Sequence, residues 1–192
     1  MKKVLIVLGH PNKKSFCGSL AQAYKQGALD AKAEIKEILV SDLRFDPVLH
    51  AGYRQTQELE EDLTRSQSFI KWADHIVFVC PTWWGTMPAL LKGFIDRVFL
   101  PGFAFKYREG SVFQDKLLMG KSARLIVTMD APAWYYRLFY NSAGHNAMKK
   151  ATLQFCGIKP VKVTTVGHVK GSSPERLKGW IEKVKGYGQQ LN

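Results

Sequence analysis

The sequence predicts an α/β domain of three layers built on a five-stranded parallel sheet, and three observations predict it. Five short apolar runs alternate with stretches of helical periodicity along the 192 residues. The first, third and fourth runs are nearly continuous Val, Ile, Leu and Phe, as strands covered on both faces tend to be. Strands joined through helices lie parallel, with right-handed crossovers. The length suits one domain spanning residues 1–192, with a substantial core, and neither internal repeats nor a linker interrupts it.

The first run, Val4 to Leu8, follows a basic start that superficially matches a secretion signal. The run is only VLIVL, and Gly-His-Pro follows instead of a small-residue cleavage site, so it reads as a buried strand of a cytoplasmic protein. A helix is expected from Ser19 to Ala31. The second run, Ile35 to Val40, alternates with polar residues as an edge strand does. The next helix, Thr56 to Ala73, carries Leu59, Leu63 and Ile70 on one face, with Glu58, Glu60, Glu61 and Asp62 near its start, where the helix dipole favours acids.

The third run is Ile76 to Cys80, followed by a helix from Pro88 to Phe99 with Pro88 in its first turn. The fourth is Leu125 to Met129. A helix from Ser142 to Phe155 then ends at Gly157, a C-cap residue type. The fifth run, Val161 to Val166, alternates again. The last helix, Pro174 to Leu191, opens on Ser173-Pro174-Glu175, a capping residue followed by proline and an acid. Two long connections, Ser41 to Gln55 and Leu100 to Lys121, break the regularity, and loops of that length usually carry function or partner contacts.

Composition narrows the classes. Hydrophobic residues make up 46% of the chain and no apolar run approaches the ~20 residues of a membrane span, so a globular protein is indicated. Cys17, Cys80 and Cys156 are odd in number and far apart, which is neither a disulfide framework nor a zinc pattern, and no metal site is expected. The net charge is +12, and from Ala147 onward nine Lys/Arg stand against two acids. Such a balance favours anionic partners, but the lysines lie at helical and strand spacings without a compact basic motif, so nucleic acid is not an expected partner.

Ligands of open parallel sheets bind beyond the carboxyl ends of the strands, where the winding reverses. Three loops fall there. The first, GHPNKKSFCGSL, leaves a buried strand for a helix through Ser15, Gly18 and Ser19, with His10, Lys13 and Lys14 beside them. Free amides at a helix start, hydroxyls and positive charge suit a phosphate, although an ordinary N-capped turn reads the same way. It is neither GxGxxG nor a P-loop. The second, PTWWGTMP, could wall a flat ring with Trp83, Trp84 and Met87, hydrogen-bond its edge through Thr82 and allow close approach at Gly85; equally, its indoles could cap the core or fill an interface. The third, TMDAPAWYYRLFYN, crowds Trp134, Tyr135, Tyr136, Phe139 and Tyr140 together. Phenols need hydrogen-bond partners, so a pocket or a dimer surface fits better than core alone.

Taken in order, GHPNKKSFCGSL, VFVCPTWWGTMPALLKGFIDRVFLPGFAF, GKSARLIVTMD and LQFCGIKPV are similar to the flavodoxin-like NAD(P)H:quinone oxidoreductase family. The likeness is to its short FMN-type members, including the potassium-efflux ancillary reductases. The resemblance spans nearly the whole chain. It implies a flavodoxin-like fold with strand order 2-1-3-4-5 and a flavin across the three loops. His10, Ser15, Phe16, Cys17 and Ser19 would hold the phosphate, Phe16 and Cys17 through backbone amides. Pro81, Thr82, Trp83, Trp84 and Gly85 would flank the ring, Thr128 lies in the third loop at its pyrimidine end, and Tyr136 would contact substrate. FMN is implied, with FAD the alternative, because the C-terminal region that helps bind the adenine half in larger relatives is missing.

Two departures accompany the resemblance. Thr128-Met129-Asp130-Ala131 replaces a threonine followed by a glycine pair, and Asp130 is expected to turn away from the ring, whose reduced form is anionic. The catalytic histidine of larger relatives does not align, since His145 lies too close to LQFCG.

The expected chemistry is a ping-pong cycle in which NAD(P)H and then a quinone or similar flat acceptor use one slot, with Tyr136 giving a proton or hydrogen bond. A flavodoxin-type electron carrier, or a flavin-binding regulatory subunit peripherally associated with a membrane transport protein, are the alternatives. A homodimer is expected from PGFAFKY, whose Phe103, Phe105 and Tyr107 are apolar for a connection, with packing against the chain's own sheet as the alternative.

Overall fold

The computed structural model describes residues 1–191. The strands are β1 (Lys3–Leu8), β2 (Glu34–Leu39), β3 (His75–Pro81), β4 (Phe105–Tyr107), β5 (Gln114–Lys116), β6 (Ser122–Thr128) and β7 (Val161–Val166). The helices are α1 (Phe16–Asp30), α2 (Glu61–Trp72), α3 (Ala89–Val98), α4 (Ala133–Phe139), α5 (Ala143–Asn146), a π-helix (Ala147–Gln154) and α6 (Pro174–Gln189). One parallel sheet runs β2-β1-β3-β6-β7, which is the expected 2-1-3-4-5 once the small β4–β5 hairpin is set aside.

Alternation along the central strands sends side chains to two cores. Val4, Ile6 and Leu8 of β1 and Val77 and Val79 of β3 pack with Leu20, Tyr24 and Val184 of α1 and α6. Leu5, Val7, Ile76 and Phe78 pack on the opposite face with Leu63, Ile70, Leu91 and Phe94 of α2 and α3. Every residue of β3 is buried, whereas β2 and β7 leave side chains partly in solvent, as their polar alternation predicts. No described helix is long and apolar enough to cross a membrane.

Helix ends follow local chemistry. Ser15 caps α1, its Oγ accepting Gly18 N–H at 3.3 Å, so α1 begins three residues before the expected Ser19. Ser173 caps α6 in the same way at Arg176 N–H, with Pro174 first in the helix. Pro88 precedes α3 as its N-cap rather than lying in its first turn.

Helix α2 starts at Glu61, not Thr56, because residues 56–60 belong to a long connection held down by Arg97. That fully buried guanidinium donates to Asp46 O at 2.5 Å, Glu58 O at 2.8 Å and the Glu60 carboxylate at 2.8 Å. The helix expected over Ser142 to Phe155 is instead the short α5 followed by the π-helix.

The second long connection contains the β4–β5 hairpin. Phe103 and Phe105, expected to await a partner chain, are 7% and 5% exposed and join the chain's own core, with Phe105 edge-on to Phe155. Only Tyr107 of that group is exposed.

Candidate functional site

The loops after β1, β3 and β6 lie side by side at the carboxyl end of the sheet, and specific contacts tie them together. Gly9 N–H donates to Val79 O at 2.9 Å, and His10 meets Trp83 edge-on at 5.8 Å. Thr82 N–H donates to Thr128 O at 2.7 Å, and Cys17 Sγ lies 3.2 Å from Thr128 Oγ1. The three loops expected to share a ligand therefore form one continuous rim.

The first loop is wound tightly before α1. Asn12 N–H donates to His10 Nδ1 at 2.9 Å, and Lys14 N–H donates to Asn12 Oδ1 at 2.8 Å. Because Nδ1 is an acceptor here, a neutral His10 carries its proton on Nε2 and presents a donor there. Partial burial lowers the His10 pKa. The amides of Phe16 and Cys17 have no acceptor among the described residues, as the first turn of a helix leaves them. Ser19 is exposed on α1, and Lys13 is paired with Asp42 at 2.5 Å rather than free beside the loop.

The second loop is a turn closed by reciprocal bonds between Trp83 and Thr86, of 2.9 and 3.0 Å. Its central residues, Trp84 and Gly85, both have positive φ, +49° and +75°, the pattern of a type I′ turn. Glycine adopts this freely, but tryptophan does so at a cost of about 1 kcal/mol. The turn holds the Trp84 indole wholly in solvent, at 101% relative exposure, with Trp83 at 45%. The amides of Trp84 and Gly85 have no acceptor among the described residues. Pro81 and Met87 are buried, so Met87 belongs to the core and not to an open wall.

The third loop departs furthest from expectation. Pro132 opens α4, a helix unforeseen in the sequence, which leaves Trp134, Leu138 and Phe139 exposed and buries Tyr136 alone. Tyr136, expected to face substrate, is 3% exposed, and its hydroxyl is committed: it donates to Gly85 O at 2.8 Å and accepts Gly144 N–H at 2.7 Å. Thr128 is also turned inward, its hydroxyl on Cys17 and its carbonyl on Thr82, so it has no free polar atom toward the rim. Asp130 accepts Lys170 N–H at 2.9 Å on the loop after β7, which turns its carboxylate to that loop. The Asp130 and Ala131 amides have no acceptor among the described residues.

His145, which does not align with the catalytic histidine of larger relatives, is brought by folding against Tyr136. Its ring lies edge-on to Tyr136 with centroids 5.0 Å apart, and its Nε2 is buried without a hydrogen-bond partner among the described residues. Burial lowers its pKa, which keeps the ring neutral at pH 7. His145 borders both the apolar crevice under the turn, with Cys80, Met87 and Met148, and a cleft of about 430 Å³ with Trp134, Arg137, Ser142 and Thr165. Spacing along the chain hid it, because short α5 and the π-helix fold it back against Tyr136.

The cysteines are inert by environment. Burial pushes the Cys17 thiol up to about 11 and the Cys156 thiol up to about 12, and raises Cys80 as well. All three are buried and free of disulfides.

The rim carries donors of the kind a phosphate and a polar ring edge would need. Unengaged amides occur on all three loops, a donor histidine stands at the first, and an orphaned imidazole lies at the third. Residues 2–177 match the model of a family described as having a flavodoxin-like fold. The human ribosyldihydronicotinamide dehydrogenase [quinone] is 32% identical over 209 residues, covering 94% of this chain and 87% of that protein. An uncharacterized NAD(P)H oxidoreductase of Haemophilus influenzae is 28% identical, covering 93% and 90%. Among solved structures, Smu.1420 from Streptococcus mutans UA159 superposes with a TM-score of 0.85 at 31% identity, covering 98% of this chain and 99% of that one.

Proposed function

The chain belongs to the flavodoxin-like fold family, and on that premise we propose that it is a flavin-dependent NAD(P)H oxidoreductase delivering two electrons to a quinone or similar flat acceptor. The observation that carries this reading is the continuous rim of three loops whose amides at Phe16, Cys17, Trp84, Gly85, Asp130 and Ala131 have no acceptor among the described residues. Such donors at the carboxyl ends of parallel strands serve anionic and polar ring edges.

FMN supplies the two-electron chemistry when bound; position and electrostatics come from the protein. The Phe16 and Cys17 amides, the Ser15 and Ser19 hydroxyls and His10 Nε2 hold the phosphate. Thr82, Trp83, Trp84 and Gly85 would line the ring, with Pro81 buried beneath them. The outward carboxylate of Asp130 spares the site a negative charge, which at ~10 Å would oppose a developing anion by of order 1 kcal/mol at an effective dielectric near 20.

The nicotinamide donor and the flat acceptor use one slot in turn, since both are planar and the Trp84 indole offers a face to either. Tyr136 has its only donor on Gly85 O, so the hydrogen bond to an acceptor's oxygen comes from another group.

A second copy of the chain covers the aromatic face of α4, where Trp134, Leu138 and Phe139 are each more than 60% exposed. The protein works in the cytoplasm as this homodimer. The test is oxidation of NADH and of NADPH by the FMN-loaded protein with menadione, followed spectrophotometrically. Turnover with either donor is expected, and none with both would refute the reading.

A further inference from the structure

The geometry that denies Tyr136 a part in proton supply gives it another. Its hydroxyl bridges two separate segments, donating to Gly85 O in the turn after β3 and accepting Gly144 N–H at the start of α5. Gly85 neighbours Trp84, and Gly144 neighbours His145. We propose that Tyr136 is a positioning residue, a pin that fixes the backbone of the turn bearing Trp84 relative to the segment bearing His145 and so decides how a flat acceptor seats. This rests on the flavoenzyme reading for its catalytic consequence, though not for the pin itself.

Independent features of the site support such a pin. The joint has no slack: a Cβ added at Gly144 would stand 2.9 Å from Thr86 Cα and 3.0 Å from both Gly85 O and the Tyr136 hydroxyl. Backbone approach this close is available only to glycine. Both tethered segments also hold non-glycine residues in left-handed conformations, Trp84 at φ +49° on one side and Asn141 and Ser142 at +47° and +51° on the other. Residues so placed relax unless their surroundings over-determine them. The phenol itself is clamped, stacked on Tyr140 at 5.8 Å and edge-on to His145 at 5.0 Å. Burial raises its pKa, which takes it further from ionising at neutral pH.

The test uses two variants of the full chain. Tyr136→Phe removes both hydrogen bonds and keeps the ring, whereas Gly144→Ala keeps the phenol and wedges the joint apart. In the FMN-loaded enzyme each is expected to raise the KM for menadione about 10-fold, with kcat within about threefold and both limbs of its pH profile retained. In protein without cofactor, amide exchange at Gly144 and His145 is expected to quicken about 10-fold in Tyr136→Phe. That second readout needs no flavin, so wild-type protein inactive with menadione would defeat the flavoenzyme reading while exchange still decided the pin.

The pin is overturned if Tyr136→Phe lowers kcat about 100-fold at unchanged KM and loses a pH limb while Gly144→Ala behaves as wild type. It is equally overturned if exchange at Gly144 is unchanged. Should Tyr136→Phe fail to fold, the KM and kcat of Gly144→Ala decide.

Discussion

Arg97 Nη2 lies 2.8 Å from Glu60 Oε2, with the Arg97 side chain wholly buried and that of Glu60 34% exposed. The same guanidinium donates to the carbonyls of Asp46 and Glu58, so one helix residue of α3 holds down both ends of a connection that has no regular structure between residues 43 and 60. A planar fork of donors does this where a lysine could not.

Replacing Arg97 by Ala leaves two carbonyls and a carboxylate without their donor. The expected loss is about 3 kcal/mol, at the low end for a broken buried pair because Glu60 regains water. Urea denaturation measures it, and a change below about 1 kcal/mol would show that the connection is held by something else.

A second prediction concerns pH. Burial pulls the pKa of His75 down to about 3 from an ordinary 6.5, and the charges of Lys2, Arg124 and Lys162 lower it further. Between these values the unfolded chain binds a proton that the native state refuses. Stability is therefore full above pH 6.5 and falls as pH drops toward about 3, with a slope of up to about 1.4 kcal/mol per pH unit. His75→Gln, which can still bond the Ser122 hydroxyl that His75 meets at 2.7 Å, is expected to flatten this slope. Equal slopes in the two proteins, from denaturation at several pH values, would contradict it.

Ser15 separates folding from ligand binding. As the N-cap of α1 it is replaceable by aspartate, which caps equally well and favours the helix dipole. The same carboxylate would repel a phosphate at the Phe16 and Cys17 amides. Ser15→Asp is expected to keep the wild-type melting temperature to within a few degrees and to weaken FMN binding by 10-fold or more, on the order of the repulsion between close like charges. Unchanged affinity would move the phosphate away from this loop.

Most of the sheet was legible in the sequence because its strands are specified locally. All five apolar runs became strands, with Val161–Val166 matching at both ends. Burial on two faces leaves a continuous apolar signature, and half burial leaves an alternating one. The failures have tertiary causes. Glu58 and Glu60 fit the start of a helix, but Arg97 recruits them into the preceding connection from 37 to 39 residues away. Phe103 and Phe105 read as too apolar to stay in solvent, but whether a partner or the chain's own sheet covers them is settled only by the hairpin of β4 and β5, which folds them under the chain's own core.

The candidate site divides in the same way. The first two loops were legible because their chemistry is local: a capping serine before a helix and an aromatic turn closed on a glycine. The surroundings of Tyr136, Thr128 and His145 were not, since each depends on a partner distant in sequence or on the turn of a short helix. Tyr136 meets Gly85 across 51 positions and Cys17 meets Thr128 across 111.

Tryptophan fluorescence tests most directly whether the three loops hold a flavin mononucleotide. Trp83 and Trp84 sit on the rim, so titrating the purified, flavin-free chain with FMN is expected to quench emission saturably at one FMN per chain, with Trp84→Phe losing much of the signal. Emission that falls only in proportion to added FMN, with no saturation and no flavin retained through gel filtration, would contradict the account.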